Sequence, residues 1–105
     1  MTRTVDLAAD ALAIVRDRLR RYLPAGTRVW VFGSRATGNA RRYSDLDLAL
    51  QADQPLDWVV LADLAEAMST SDLPFKVDLL DLRTVEPAFR RRIEADMVPL
   101  PERAD

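Results

Sequence analysis

Three acidic residues and a glycine-serine pair carry the chemistry legible in this 105-residue chain. Asp45 and Asp47 lie two apart in Ser44-Asp45-Leu46-Asp47-Leu48-Ala49-Leu50. The two-residue period of a strand sends Leu46, Leu48 and Leu50 to one face and Asp45, Asp47 and Ala49 to the other. Two carboxylates at that spacing repel one another unless water or a cation offsets the charge. Oxygen-only donor pairs suit magnesium, which keeps several waters and is shared with substrate phosphates.

Upstream, Gly33-Ser34 closes the apolar run Thr27 to Phe32. Glycine allows positive φ and close backbone approach, so successive amides can turn toward an anion, and the Ser34 hydroxyl adds a donor. Gly38 ends the turn. Arg35, Arg41 and Arg42 stand where a triphosphate's charge would need neutralising. Either half alone is a common loop or strand-end pattern. A third acid strengthens the combination. Phe75 to Leu82 reads as a strand with Phe75, Val77 and Leu79 on one face and Lys76, Asp78 and Leu80 on the other. Asp78 completes a set able to hold two magnesium ions for in-line nucleotidyl transfer; taken alone, it could be a half-exposed residue paired with Lys76. Asp81 competes with it but falls on the other face.

Gly33-Ser34-Arg35-Ala36-Thr37-Gly38, Ser44 to Leu50 and Val77-Asp78-Leu79 together resemble the minimal nucleotidyltransferase (MNT) family of the DNA polymerase β-like superfamily. The resemblance runs from about Val29 to Leu82 and implies a nucleotidyltransferase fold, α/β (α+β), in which a small mixed sheet has helices packed on one face and the active site on the other. It also implies roles: Gly33 and Ser34 on the nucleotide phosphates, Asp45 and Asp47 on both metals, and Asp78 on the catalytic metal and the acceptor hydroxyl. Thr37 departs from the pattern, since many relatives carry a basic residue there.

The implied activity is magnesium-dependent transfer of a nucleoside monophosphate, AMP from ATP as first choice, to an acceptor hydroxyl. Members of this family are commonly encoded beside an all-helical HEPN-type protein. They act either as the antitoxin of a toxin–antitoxin pair or as the catalytic half of a two-subunit transferase. The small size leaves a further alternative, an inactive module that covers its partner.

The elements that must position these residues follow from pattern. Residues 5–23 read as an amphipathic helix, with Ala8, Ala11, Leu12, Val15, Leu19 and Tyr22 at helical spacing, stopped by Pro24-Ala25-Gly26. Strand Arg28 to Phe32 follows, then the Gly-Ser turn, the basic loop and the Asp45 strand. A second helix spans Asp57 to Ser69, with Trp58, Leu61, Ala65 and Met68 assigned to a core stripe. After the Asp78 strand, Thr84 is expected to cap a third helix, with Pro87 in its first turn and Phe89 and Ile93 as anchors. Arg90-Arg91-Arg92 reads as a solvated face. Met97, Val98 and Leu100 suggest a short strand, and 101–105 a frayed tail.

Composition narrows the classes. The length suits one domain over 1–105. With 15 basic and 17 acidic residues the net charge is −2, which gives long nucleic acid no basic footprint. The chain has no cysteine and no histidine. Thiolate metal sites, histidine-metal sites and serine triads are therefore excluded. Gly-x-Gly-x-x-Gly and Gly-Lys-Ser/Thr elements are absent, against Rossmann and P-loop readings; an Asp-x-Asp glycosyltransferase would need a larger fold. No apolar run approaches ~20 residues and the N-terminus lacks a signal-peptide core, so a cytoplasmic location without membrane contact is expected.

Overall fold

The structure, a computed structural model, describes residues 5–102. Four strands form one mixed sheet in the order β3-β2-β1-β4: β1 Arg28–Phe32, β2 Leu46–Gln51, β3 Val77–Asp81 and β4 Val98–Pro99. Strand β1 pairs antiparallel with β2 and β4, whereas β2 and β3 are parallel. A parallel neighbour requires a crossover, and helix α3, Trp58–Ser69, supplies it. Helix α1, Ala9–Tyr22, precedes the sheet, the four-residue α2, Ser34–Thr37, follows β1, and α4, Pro87–Glu94, follows β3.

The period of two seen in the sequence sorts the sheet's faces. Val31, Leu46, Leu48, Leu50 and Val77 pack with Leu12, Val15 and Leu19 of α1 and Leu64 and Met68 of α3. Burying side chains of this size stabilises by roughly 2 kcal/mol each. The opposite face carries a smaller cluster, Ala49, Leu82 and Ile93, with Trp30, Phe32 and Leu80 against it. Ile93 belongs to α4, so the expectation of helices on a single face is corrected: α1 and α3 cover one face and α4 sits on the other. The residues of α4 explain its shallow seat. Ile93 is its one buried residue, while Phe89, expected as an anchor, is 38% exposed.

Local chemistry explains the other departures. The first helix begins at Ala9 rather than residue 5, because the Asp6 N–H donates to the Arg35 carbonyl instead of entering a helical ladder. Its stop is as expected: Thr27 folds back through its N–H and hydroxyl onto the Pro24 carbonyl, and Gly26 takes φ +83°. Helix α3 opens on Asp57, whose carboxylate accepts from the Val59 N–H. Its buried face is Leu64, Ala67 and Met68, so Trp58, 77% exposed, and Ala65, also exposed, are not core residues as the stripe suggested. Thr84 does not cap α4; its hydroxyl donates to the Asp81 carbonyl in the turn after β3. Arg90 is half-buried, donating to the Leu82 carbonyl and the Gln51 side chain, whereas Arg91 and Arg92 are exposed as expected. Pro101 of the expected tail accepts from Arg16, and residues 103–105 lie outside the described residues.

Candidate active site

The candidate site forms at the sheet edge where β1 ends and β2 and β3 begin. Gly33 follows β1 directly, with φ 73° and ψ −156°, a combination essentially confined to glycine. Its carbonyl accepts from the Ala36 and Thr37 N–H groups and winds α2, which Gly38 closes in the left-handed region at φ 86°. The N–H groups of Ser34 and Arg35 come ahead of these bonds and are left out of the helix's own ladder. They stand beside the Ser34 hydroxyl at the end of β1.

Strand pairing brings the acids to this turn. Asp47 is the register partner of Phe32 on one side and of Asp78 on the other. A β-carbon on Gly33 would overlap the Asp47 carboxylate, standing 3.2 Å from its Cγ. Only a hydrogen side chain permits that approach. Asp45 lies just ahead of β2 and is exposed, while Asp47 and Asp78 are half-buried. Burial, then the charges of Asp78 and Asp45, then a carboxyl hydrogen bond with Asp78 push the Asp47 pKa up to about 6. The carboxylates thus crowd one another without compensation. Lys76 Nζ lies 3.3 Å from Asp78 Oδ1, but both side chains are open to water and such pairs contribute little.

A hard dication fits this donor set: the groups are all carboxylate oxygens, burial and the neighbouring charges of Asp78 and Asp45 disfavour the ionised Asp47 in a way a cation would relieve, and Gly33 puts no side chain beside them. Among the described residues no group of three or more acidic side chains is gathered closely enough to hold a metal ion by itself. An open site of this kind takes its remaining oxygens from water and phosphate.

Residues 19–105 match the family model described as "Polymerase beta, Nucleotidyltransferase". The chain belongs to this nucleotidyltransferase family. It is 46% identical over 99 residues, 94% of this chain and 86% of the relative, to a protein of Haemophilus influenzae described as a probable protein adenylyltransferase MntA. Among solved structures it resembles a toxin–antitoxin crystallised with AMP-PNP, at TM-score 0.73 and 28% identity over 86% of this chain and 72% of that one. It also resembles a minimal nucleotidyltransferase, at TM-score 0.64 and 31% identity over 84% of this chain and 87% of that one.

Not every expected site residue faces this end of the sheet. Gly33, Ser34, Asp45, Asp47 and Asp78 come to one edge, but Arg35 does not offer its charge to a phosphate. It is 5% exposed, and its guanidinium donates to the carbonyls of Ser44, Arg42 and Asp6 and lies 4.2 Å over the Phe75 ring. Its donors point into the protein, which corrects the phosphate-contact assignment. Arg41 and Arg42 remain on the exposed loop. Asp81, the competing acid, is 4% exposed and accepts from the N–H groups of Leu56 and Arg83, a structural post between β3 and the start of α3. The approach of Gly33 to Asp47 depends on the register in which Phe32, the residue before Gly33, pairs with Asp47, and the sequence alone does not set that register.

Proposed function

We propose that this nucleotidyltransferase uses magnesium and ATP to place AMP on a hydroxyl of an all-helical HEPN-type partner, silencing it as the antitoxin of a cytoplasmic two-component pair. The observation that carries the reading is the alignment of Asp47 with Asp78 across β2 and β3, beside the glycine turn that ends in Ser34. The similarity to a MntA adenylyltransferase and to a toxin–antitoxin holding an ATP analogue supports the choice of nucleotide and acceptor class. No helix among the described residues is long and apolar enough to cross a membrane.

In the reaction the acceptor oxygen attacks the α-phosphorus. A new P–O bond forms there, the α–β bridging P–O bond breaks, and pyrophosphate leaves with the electron pair. Ser34 and the adjoining amides hold the phosphates against the end of β1. Asp45, Asp47 and Asp78 would hold two magnesium ions, which supply charge neutralisation at the α-phosphate and leaving pyrophosphate. Asp78, at the start of β3, receives the acceptor proton. A second protein surface would present the hydroxyl and exclude water.

Co-expression with the helical protein encoded beside it tests the reading. The complex should co-purify, and intact-mass analysis after ATP and magnesium should show the partner gaining mass in steps of one AMP. The gain should disappear in Asp47→Asn and Asp78→Asn. An unmodified partner with every nucleoside triphosphate would overturn the proposal; modification of a small acceptor instead would favour the two-subunit transferase.

A further inference from the structure

Arg35 and Asp81 are the two buried charged residues among those described. Asp81 meets backbone N–H groups, whereas Arg35 meets no carboxylate. A buried guanidinium without a counter-ion is costly unless its donors are satisfied. Carbonyls do this here. Nε and Nη2 donate to the Ser44 carbonyl at 3.0 and 2.8 Å, Nη2 also to Arg42 at 3.3 Å, and Nη1 to Asp6 at 2.8 Å. The Phe75 ring, 4.2 Å from Cζ, adds the attraction of its π-face.

The segments joined are those that carry the site. Arg35 stands two residues after Gly33, Ser44 is the residue before Asp45, and Phe75 is three before Asp78. The Asp6 N–H returns a bond to the Arg35 carbonyl, so the chain ahead of α1 closes the clamp. The turn 41–44 otherwise bonds within itself: Ser44 N–H to the Arg41 carbonyl, and Arg41 N–H to the Ser44 hydroxyl. Among the described residues Arg35 is therefore the polar tie between that turn and the glycine-serine helix. A fork of fixed donors can span three carbonyls, which a lysine ammonium cannot do from the same stem.

We propose that Arg35 is a positioning residue, holding the Gly33-Ser34 phosphate turn at working distance from Asp45 and Asp47 without touching the nucleotide. The inference rests on the nucleotidyl-transfer reading above. Loosening the turn shifts Asp45, at the loop end, more than Asp47, which is locked between two strands. The phosphate grip survives while the reacting geometry degrades, so turnover suffers more than nucleotide affinity. Misplacement by about 1 Å can cost on the order of 100-fold in rate.

The test uses Arg35→Lys and Phe75→Leu in the complex of the full chain with its helical partner, with Leu64→Ala as a core-destabilised control. Arg35→Lys should lower kcat by about 10- to 100-fold, with AMP-PNP affinity within about threefold of wild type. Hydrogen exchange over residues 41–45 should accelerate. Phe75→Leu should show the same signature more weakly, and Leu64→Ala, assayed well below its unfolding midpoint, should keep its kcat. Wild-type kcat with unchanged exchange in Arg35→Lys would overturn the inference. So would a selective loss of AMP-PNP affinity, which would make Arg35 a nucleotide contact, or an equal kcat loss in Leu64→Ala. If the wild-type complex transfers no nucleotide, the functional reading falls instead, and exchange over 41–45 still decides the role of Arg35.

Discussion

Gly33 and Asp47 occupy adjoining space so closely that a β-carbon on the glycine would overlap the carboxylate. The contact joins the end of β1 to the strand beside it and places the glycine-serine turn directly over a carboxylate. Backbone and side chain are both constrained at this point, and the constraint is measurable.

Gly33→Ala should therefore lose stability twice over. Its φ and ψ lie where alanine is strained by about 1–3 kcal/mol, and the added carbon displaces the Asp47 carboxylate. Gly26→Ala is the control, since φ is +83° there but nothing lies within 4 Å, and it should cost about 1–2 kcal/mol. Urea denaturation should rank Gly33→Ala as the more damaging, and only Gly33→Ala should abolish nucleotide transfer.

Asp47 should make the metal-free protein less stable as pH rises. Its folded pKa, pushed up to about 6, exceeds the unfolded value near 4. The folded state thus holds the proton more tightly, and the associated stability is present below about pH 4 and lost as pH climbs through 6. Half-burial and solvent screening reduce the effect to about 1–2 kcal/mol. Thermal melts in chelator should show Asp47→Asn more stable than wild type at pH 8 and equal to it near pH 4; a destabilised Asp47→Asn at pH 8 would remove the charge-crowding argument.

Asp78 and Asp81 should separate chemistry from folding although they lie three residues apart. Asp81→Ala strands the N–H groups of Leu56 and Arg83 and should cost about 2–3 kcal/mol. Asp78→Asn loses an exposed ion pair with Lys76 and should be within about 0.5 kcal/mol of wild type. Transfer should vanish in Asp78→Asn and persist in whatever fraction of Asp81→Ala remains folded, as read by denaturation midpoints and intact mass on the same samples.

Magnesium should tighten nucleotide binding only while the paired acids are present. Calorimetry should show AMP-PNP binding weakened by chelator in wild type. Asp45→Asn with Asp47→Asn should bind the analogue weakly whether or not magnesium is added. Equal magnesium enhancement in the double variant would place the cation elsewhere.

The strand period alone placed Asp47 on one face and Leu46, Leu48 and Leu50 on the other, because alternation is a property of the extended backbone and needs no partner; Asp45, read as part of the same strand, lies just ahead of it. The same rule separated Asp78 from Asp81. Glycine at 33, 26 and 38 marked turns for an equally local reason, and family resemblance joined these pieces into one site. Tertiary structure decided what depends on neighbours distant in the chain. The register of β2 with β3 set Asp78 beside Asp47, and that of β1 with β2 brought Gly33 onto the carboxylate. Arg35 looked like its loop companions Arg41 and Arg42, yet three carbonyls and an aromatic ring from separate segments drew it inward. Trp58 fitted a helical stripe, but the rotation of α3 against the sheet buried Leu64 and Met68 and left the tryptophan in solvent. Residue type and spacing specify which face a side chain takes within its own element, whereas burial and hydrogen-bond partners depend on which elements the sheet order makes adjacent.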